Sequence, residues 1–301
     1  MKRFLIGFTL LFPVLSASAD QECREFVVNE ALADIPARYS DAVLWKVSRN
    51  GQRHSYIFGT IHVSDPRVVD LPGPVVNALD ESVTFTMEAI PEPDDLLILR
   101  ELMFFSDETR LNHLLKADKY TRAAEILKKY NLSGESITRL KPWAAYLTMN
   151  YPVNDGLPLD LVLLQMARER GMKITGLETL SEQLSALTSL GDEQQIRILV
   201  DTLCNYDQIL HGFENMIALY LDRDVRGIYA FSMKYSLQDD DIYDHLYRKL
   251  LIDRNYLMVD RLDEDLQKGG VFVAIGALHL AGEEGVLALL DDRGYRIEAV
   301  Y

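Results

Sequence analysis

The sequence predicts an α/β fold of the α+β kind. It reads as a mixed sheet assembled from N- and C-terminal β-loop-α-β halves, with a large helical region inserted between them. Three observations predict it. Strand-like apolar runs alternate with helical periodicities at both ends of the 301 residues, the pattern of a parallel or mixed sheet covered by helices. A unit of strand, Gly-x-x-His, helix and strand occurs twice, once near each end. Between the two copies, from about residue 93 to about residue 265, apolar positions recur at helical spacing almost throughout.

The elements follow in order. Residues 1–19 read as a secretory signal peptide: Lys2 and Arg3, an apolar run from Phe4 to Leu15, then small residues up to Ala19, after which cleavage is expected. The apolar run is too short to span a bilayer. The mature chain, 20–301, is therefore expected as a single domain, periplasmic or secreted, with no stable membrane insertion. Val43 to Val47 alternates apolar and polar residues, Asn50-Gly51 marks a tight hairpin turn, and His54 to Phe58 is the return strand into Gly59. A short helix is predicted over 74–80, and a third strand, 83–87, ends at Glu88. In the insert, Asp94 reads as the cap of a helix, residues 118–130 are helical, Pro142-Trp143 opens a helix, and another runs from Pro158 to Arg170 before Gly171. A short strand over 172–177 ends at Glu178. Residues 181–265 read as helical, with breaks near Gly191, Gly212, Gly227 and Asp239. The tail returns to strand (271–275), Gly276 to His279, helix (about 282–293) and strand (296–300).

Charge excludes one class of partner. The chain carries 31 Lys and Arg against 46 Asp and Glu, a formal charge of −15. Nucleic acid needs a basic face and is not expected as a partner. The acidity suits a solvated, soluble surface. Cys23 and Cys204 are the two cysteines. An exported chain permits a disulfide between them, and two buried thiols are the alternative. The oligomeric state stays open.

The repeat carries the chemistry. Its first copy holds Gly59-Thr60-Ile61-His62 and its second Gly276-Ala277-Leu278-His279, each directly after an apolar strand. A glycine there is expected to turn the chain sharply through positive φ. Ligand crevices of open α/β sheets lie at the carboxyl ends of the strands. His62, His279, Glu88 and Glu178 would all stand there, on two related half-sheets facing each other. Two imidazoles and two carboxylates suit a divalent metal such as manganese, cobalt, zinc or iron. His54, His113, His211 and His245 carry no assigned chemistry.

These residues resemble the TraB/GumN family, which includes the Tiki proteases. The resemblance rests on residues 59–66 (GTIHVSDP), Leu140-Lys141-Pro142-Trp143, residues 175–179 (TGLET), Asp253-Arg254-Asn255, and residues 274–280 (AIGALHL) with 285–290 following. The family usually has Glu where Asp253 stands. The resemblance implies a fold related to ChaN and to erythromycin esterase-like proteins. It also implies a metal-dependent hydrolase site with His62, Glu88 and His279 as metal ligands and Glu178, Arg254 and Asn255 in acid–base or substrate-holding roles. The expected chemistry is hydrolysis of a peptide bond: a metal-activated water, a carboxylate that takes its proton, and Arg254 beside the developing oxyanion. An ordinary salt bridge is the other reading of Arg254. The substrate class is a peptide or a small molecule. The alternative functions are non-catalytic haem or metal binding of ChaN type, and a peptide-binding regulator.

Overall fold

A computed structural model describes residues 21–24, 38–49, 51–92, 94–153, 156–234 and 241–301. The signal-peptide expectation, Asn50 of the hairpin and the break near Asp239 lie outside these residues. Six strands form one mixed sheet: β1 (Leu44–Ser48), β2 (Ser55–Thr60), β3 (Thr84–Met87), β4 (Lys173–Gly176), β5 (Val271–Gly276) and β6 (Arg296–Ala299), in the order β4-β3-β5-β2-β1-β6. The four strands β4, β3, β5 and β2 run parallel, and β1 pairs antiparallel with both β2 and β6.

The central strands are those whose residues are apolar on both faces. Every residue of β2 is buried, as are the first five of β5, as expected of parallel strands covered on both sides. The edge strands β4 and β6 have no buried residue: their middle two positions are half-buried and their end positions exposed. Phe272 anchors the sheet core, with its ring centroid 6.1 Å from those of Phe58 and Phe85. A separate apolar cluster fills the helical insert around Trp143, Leu111, Ile126, Leu140 and Tyr206.

The strand-end register differs from expectation in one respect that matters. The two Gly-x-x-His copies do not belong to facing half-sheets. Strands β2 and β5 are neighbours in one sheet, with Gly59 opposite Ile275 and Thr60 opposite Gly276. The chain leaves β2, builds β3 two places away, and β5 then inserts between them, parallel to both. Met87 of β3 lies opposite Ala274 and Gly176, so the four parallel strands end at nearly one level.

Several helix boundaries also move. Gly51, between β1 and β2, lies at φ +79°. Asp94 makes no side-chain cap. Gly212 does not break its helix, which runs unbroken over Asp192–Leu221. A Cβ on Gly212 would lie 3.0 Å from Cζ of Phe231, so this glycine serves close helix packing. The chain turns instead at Arg223, at φ +61°, and Gly227 lies inside the next helix, Val225–Lys234.

Cys23 and Cys204 form a disulfide with Cα atoms 5.6 Å apart. It staples the chain start to the helix Asp192–Leu221. Arg24 pairs beside it with the buried Asp201, and Gln21 donates through Nε2 to the Leu114 carbonyl and accepts the Lys116 N–H on Oε1.

Candidate functional site

Each strand end delivers one chemically active side chain because the local sequence ties it there. Glu88 follows β3 directly, and Glu178 follows β4 by two residues, its N–H donating to the Glu88 carbonyl at 2.7 Å. His62 lies two residues beyond β2. His279 closes a short 3-10 turn, Ala277–His279, immediately after β5.

The two glycines of the repeat are required for space rather than for an unusual backbone. Gly276 has φ −54°, and Gly59 is not among the positive-φ residues. A Cβ on Gly276 would lie 3.2 Å from Oε1 of Glu88, the atom that accepts the Gly276 N–H at 2.6 Å. A Cβ on Gly59 would lie 2.6 Å from Cδ1 of Leu280 and 3.1 Å from Cα of Ala277. The first glycine thus leaves room for the turn that carries His279, and the second for the carboxylate beside it.

Arg254 is the hub. It sits in the first turn of the helix Asp253–Lys268, directly after a π-helical stretch, Arg248–Ile252. Such local widenings re-aim side chains and recur at functional sites. Its Nη2 donates to Oε2 of Glu88 at 2.6 Å and to Oε2 of Glu178 at 2.8 Å. Its Nε faces both Glu178 oxygens at 3.0 Å, and Nη1 donates to the Leu250 carbonyl at 3.0 Å. Only 1% of the Glu178 side chain is exposed, so its carboxylate is fully committed to this pair. Asp253 points elsewhere, to Lys249 at 2.7 Å, so its shortness relative to Glu does not bear on the site.

The next residue, Asn255, sets the state of His279. Its Nδ2 donates to the Glu284 carbonyl at 2.7 Å, which turns Oδ1 toward Nδ1 of His279 at 2.6 Å. A carboxamide oxygen only accepts, so Nδ1 carries the hydrogen and Nε2 keeps its lone pair. Burial, against the opposing pull of Glu88, lowers the His279 pKa to about 4. Nε2 lies 3.8 Å from Oε1 of Glu88. Burial raises the Glu88 carboxyl, but His279, Arg254, His62 and the Gly276 N–H outweigh it and bring the pKa to about 2. At neutral pH His279 is uncharged, so Arg254, His62 and the Gly276 N–H hold the Glu88 charge. The facing atoms are then both acceptors, and the gap between them calls for a cation or a water hydrogen.

His62 is the open member. Protein surrounds its ring closely, yet 45% of the side chain meets solvent. Burial lowers its pKa, and the hydrogen bond to Asp160, with the charges of Asp160 and Glu88, more than offsets this and raises it to about 9. Nδ1 lies 2.7 Å from Oδ2 of Asp160. The Tyr151 ring stands 6.0 Å from that of His62.

The structure therefore brings two hydrogen-bonded groups together, Glu88–Arg254–Glu178 and His279–Asn255, which face each other where His279 Nε2 lies 3.8 Å from Glu88 Oε1, and His62 is the exposed member beside them. Sequence reasoning missed Asp160, Gln183 and Tyr151. Gln183 donates to Oε2 of Glu88 at 3.3 Å. Asp160 had a signal: it stands in register with buried Leu163, Leu164 and Ala167, an acid in the apolar stripe of its helix.

The donor chemistry fits a divalent metal in part. In both histidines Nδ1 meets an oxygen, the usual arrangement of ligating imidazoles; His279 offers a free Nε2, and His62, a cation at neutral pH, would offer its own on giving up one proton. Glu88 and His279, whose facing acceptor atoms lie 3.8 Å apart, are the residues that would hold such an ion. Among the described residues, no group of three or more His, Cys, Asp and Glu side chains is gathered closely enough to hold an ion, so His62 is not drawn into one cluster with that pair. Among the same residues, no helix is long and apolar enough to cross a membrane.

Comparisons with known proteins agree in kind. The profile of the TraB/PrgY/gumN family matches residues 43–299. The chain is 26% identical to Metalloprotease TIKI2 of Danio rerio over 355 aligned positions, covering 98% of this chain and 67% of that protein. It is 26% identical to Metalloprotease TIKI1 of Homo sapiens, covering 98% and 68%. It is 23% identical to Uncharacterized protein YbaP of Escherichia coli (strain K12), covering 80% and 89%. No solved structure matches the chain.

Proposed function

This chain belongs to the TraB/PrgY/gumN family, and on that premise we propose that it is an exported metal-dependent hydrolase of peptidase type whose active site is the strand-end cluster. The observation that carries the reading is the pair of motif histidines, each held through Nδ1 by an oxygen so that Nε2 is the ring nitrogen without a protein partner of that kind, together with an ionised, buried Glu88. The names of the Tiki relatives support it.

His279 and Glu88 would hold the ion from the sheet side, and His62 from the open side. A bound divalent ion supplies Lewis acidity toward a carbonyl and acidifies water. The remaining work belongs to the chain. Asn255 keeps the proton of His279 on Nδ1. Arg254 and the Gly276 N–H keep Glu88 ionised, and Glu178 balances the charge of Arg254. With Nε and Nη2 aimed at carboxylates and Nη1 at a carbonyl, Arg254 serves this site as a clamp on its acids. The exposed edge of His62, beside Tyr151, is the face on which a peptide carbonyl would approach.

Elemental analysis of the mature protein, purified without chelators, tests the reading. About one divalent ion per chain is expected, lost in the His62→Ala, His279→Ala double variant together with cleavage of a random peptide pool. A protein that holds no metal after incubation with manganese, cobalt or zinc, and cleaves no peptide, would refute it.

A further inference from the structure

We propose that Asp160 is the positioning residue of the first Gly-x-x-His turn: it holds the His62 proton on Nδ1 and so reserves Nε2 for the ligand of the site. The inference rests on the metal reading above and adds to it a residue from the helical insert.

Asp160 stands in the first turn of the helix Leu159–Glu169, and it is buried. A carboxylate in an apolar stripe costs several kcal/mol unless its oxygens are well partnered. Both partners come from one short stretch of chain. Thr60 donates through Oγ1 to Oδ1 at 2.5 Å, and His62 Nδ1 meets Oδ2 at 2.7 Å. The backbone reinforces the same junction, with the Leu159 N–H donating to the Val63 carbonyl at 3.0 Å. The start of this helix therefore grips the turn at residues 60, 62 and 63. With Thr60 fixing one oxygen, the other has a set direction, and the imidazole edge that meets it is Nδ1.

The second turn contains a matching device. Asn255, also from the first turn of a helix, accepts from Nδ1 of His279. Two turns that are alike in sequence are thus served by two helices, and each helix offers an oxygen to the same ring nitrogen. They differ in charge: a carboxylate behind the exposed histidine and a carboxamide behind the buried one. A purely architectural role would need only that Asp160 be satisfied, from either ring nitrogen. The shared choice of Nδ1 in both turns points to Nε2 as the atom kept for use. Outer partners of this kind orient ligating imidazoles and affect metal affinity about 10- to 100-fold.

The test uses the full mature chain and two variants. Asp160→Leu removes the acceptor while filling the space, and Asp160→Asn keeps an acceptor without charge. Ring nitrogens of the metal-free protein are read by long-range proton–nitrogen spectra across a pH series, at the alkaline end of which His62 has lost its second proton. Zinc affinity is read by competition with a chromophoric chelator. Wild type and Asp160→Asn are expected to show His62 protonated at Nδ1, and Asp160→Leu to shift to the Nε2–H form. Zinc binding is expected to weaken about 10- to 100-fold in Asp160→Leu and about tenfold in Asp160→Asn. His62 protonated at Nε2 in the wild type, or zinc affinity in Asp160→Asn within twofold of wild type, would overturn the assignment. If Asp160→Leu does not fold, Asp160→Asn decides on both readouts. A wild-type chain that binds no zinc, manganese or cobalt but shows the Nδ1–H form would sink the metal reading while leaving the positioning of His62 intact.

Discussion

Replacing Arg254 by Met tests the hub of the site, because it leaves two carboxylates facing each other without their cation. Side-chain exposure is 15% for Arg254, 11% for Glu88 and 1% for Glu178, so solvent screens the pair poorly. Removing one partner of a buried ion pair costs about 3–5 kcal/mol, and with two acids on one guanidinium the upper half of that range is expected. The pH dependence carries a sign that packing loss alone does not produce. In the wild type the Glu88 pKa is lowered to about 2 from its ordinary 4.5. Its contribution is fully present above pH 4.5 and is lost only as pH falls toward 2, so it is flat between pH 5 and 8. Without Arg254, burial and the neighbouring carboxylate push Glu88 upward. A raised acid contributes stability below its unfolded value and loses it as pH rises. The variant's deficit should therefore be largest near pH 8 and shrink toward pH 5. Arg254 also lowers the pKa of His62 and His279, so its loss shifts both in the same direction. Urea unfolding followed by far-ultraviolet circular dichroism at several pH values measures the difference. A deficit under about 1 kcal/mol, or one that does not change with pH, would refute the clamp.

Three further outcomes follow from the geometry. Cys23→Ser, or reduction of the disulfide, releases a link with a sequence separation of 181 residues; the chain-entropy estimate is a loss of up to about 5 kcal/mol, and equilibrium unfolding with and without reductant should show at least about 2. Gly59→Ala places a Cβ 2.6 Å from Leu280 and against the turn bearing His279; about 1–3 kcal/mol of destabilisation is expected by thermal unfolding, and an unchanged midpoint would show that the turn yields freely. Burial first, then Glu81, raises the Tyr56 pKa to about 12, and burial raises that of Tyr146 to about 12; such raised groups contribute stability below pH 10 that is lost as pH rises through 12, and absorbance at 295 nm should show native protein at pH 11 with some of its 15 tyrosines un-ionised.

The strand ends could be read from the sequence because each active residue there is bound to its place by its immediate neighbours. Glu88 and Glu178 follow short apolar strands, and His62 and His279 follow glycines, so their level in the sheet is a local property. The order of the strands is not local. The shared Gly-x-x-His pattern near the two ends of the sequence suggests opposed half-sheets, yet β5 slots in beside β2, and only long-range pairing decides that. The glycines of the two turns serve space and not backbone freedom. They keep ordinary φ values and are needed because Leu280 and Glu88 occupy the space a side chain would take, which no local rule reveals. The partners of the histidines were the least legible. Asn255 was singled out through resemblance, and Asp160 not at all, since each meets its histidine only after a helix docks on the sheet. This division has a physical consequence. The sheet fixes which donors are available, while the helical insert fixes which nitrogen of each donor is free, through Asp160 on one side and Asn255 on the other. Changes in how the insert seats on the sheet would thus alter the chemistry of the site while leaving the four strand-end residues in place.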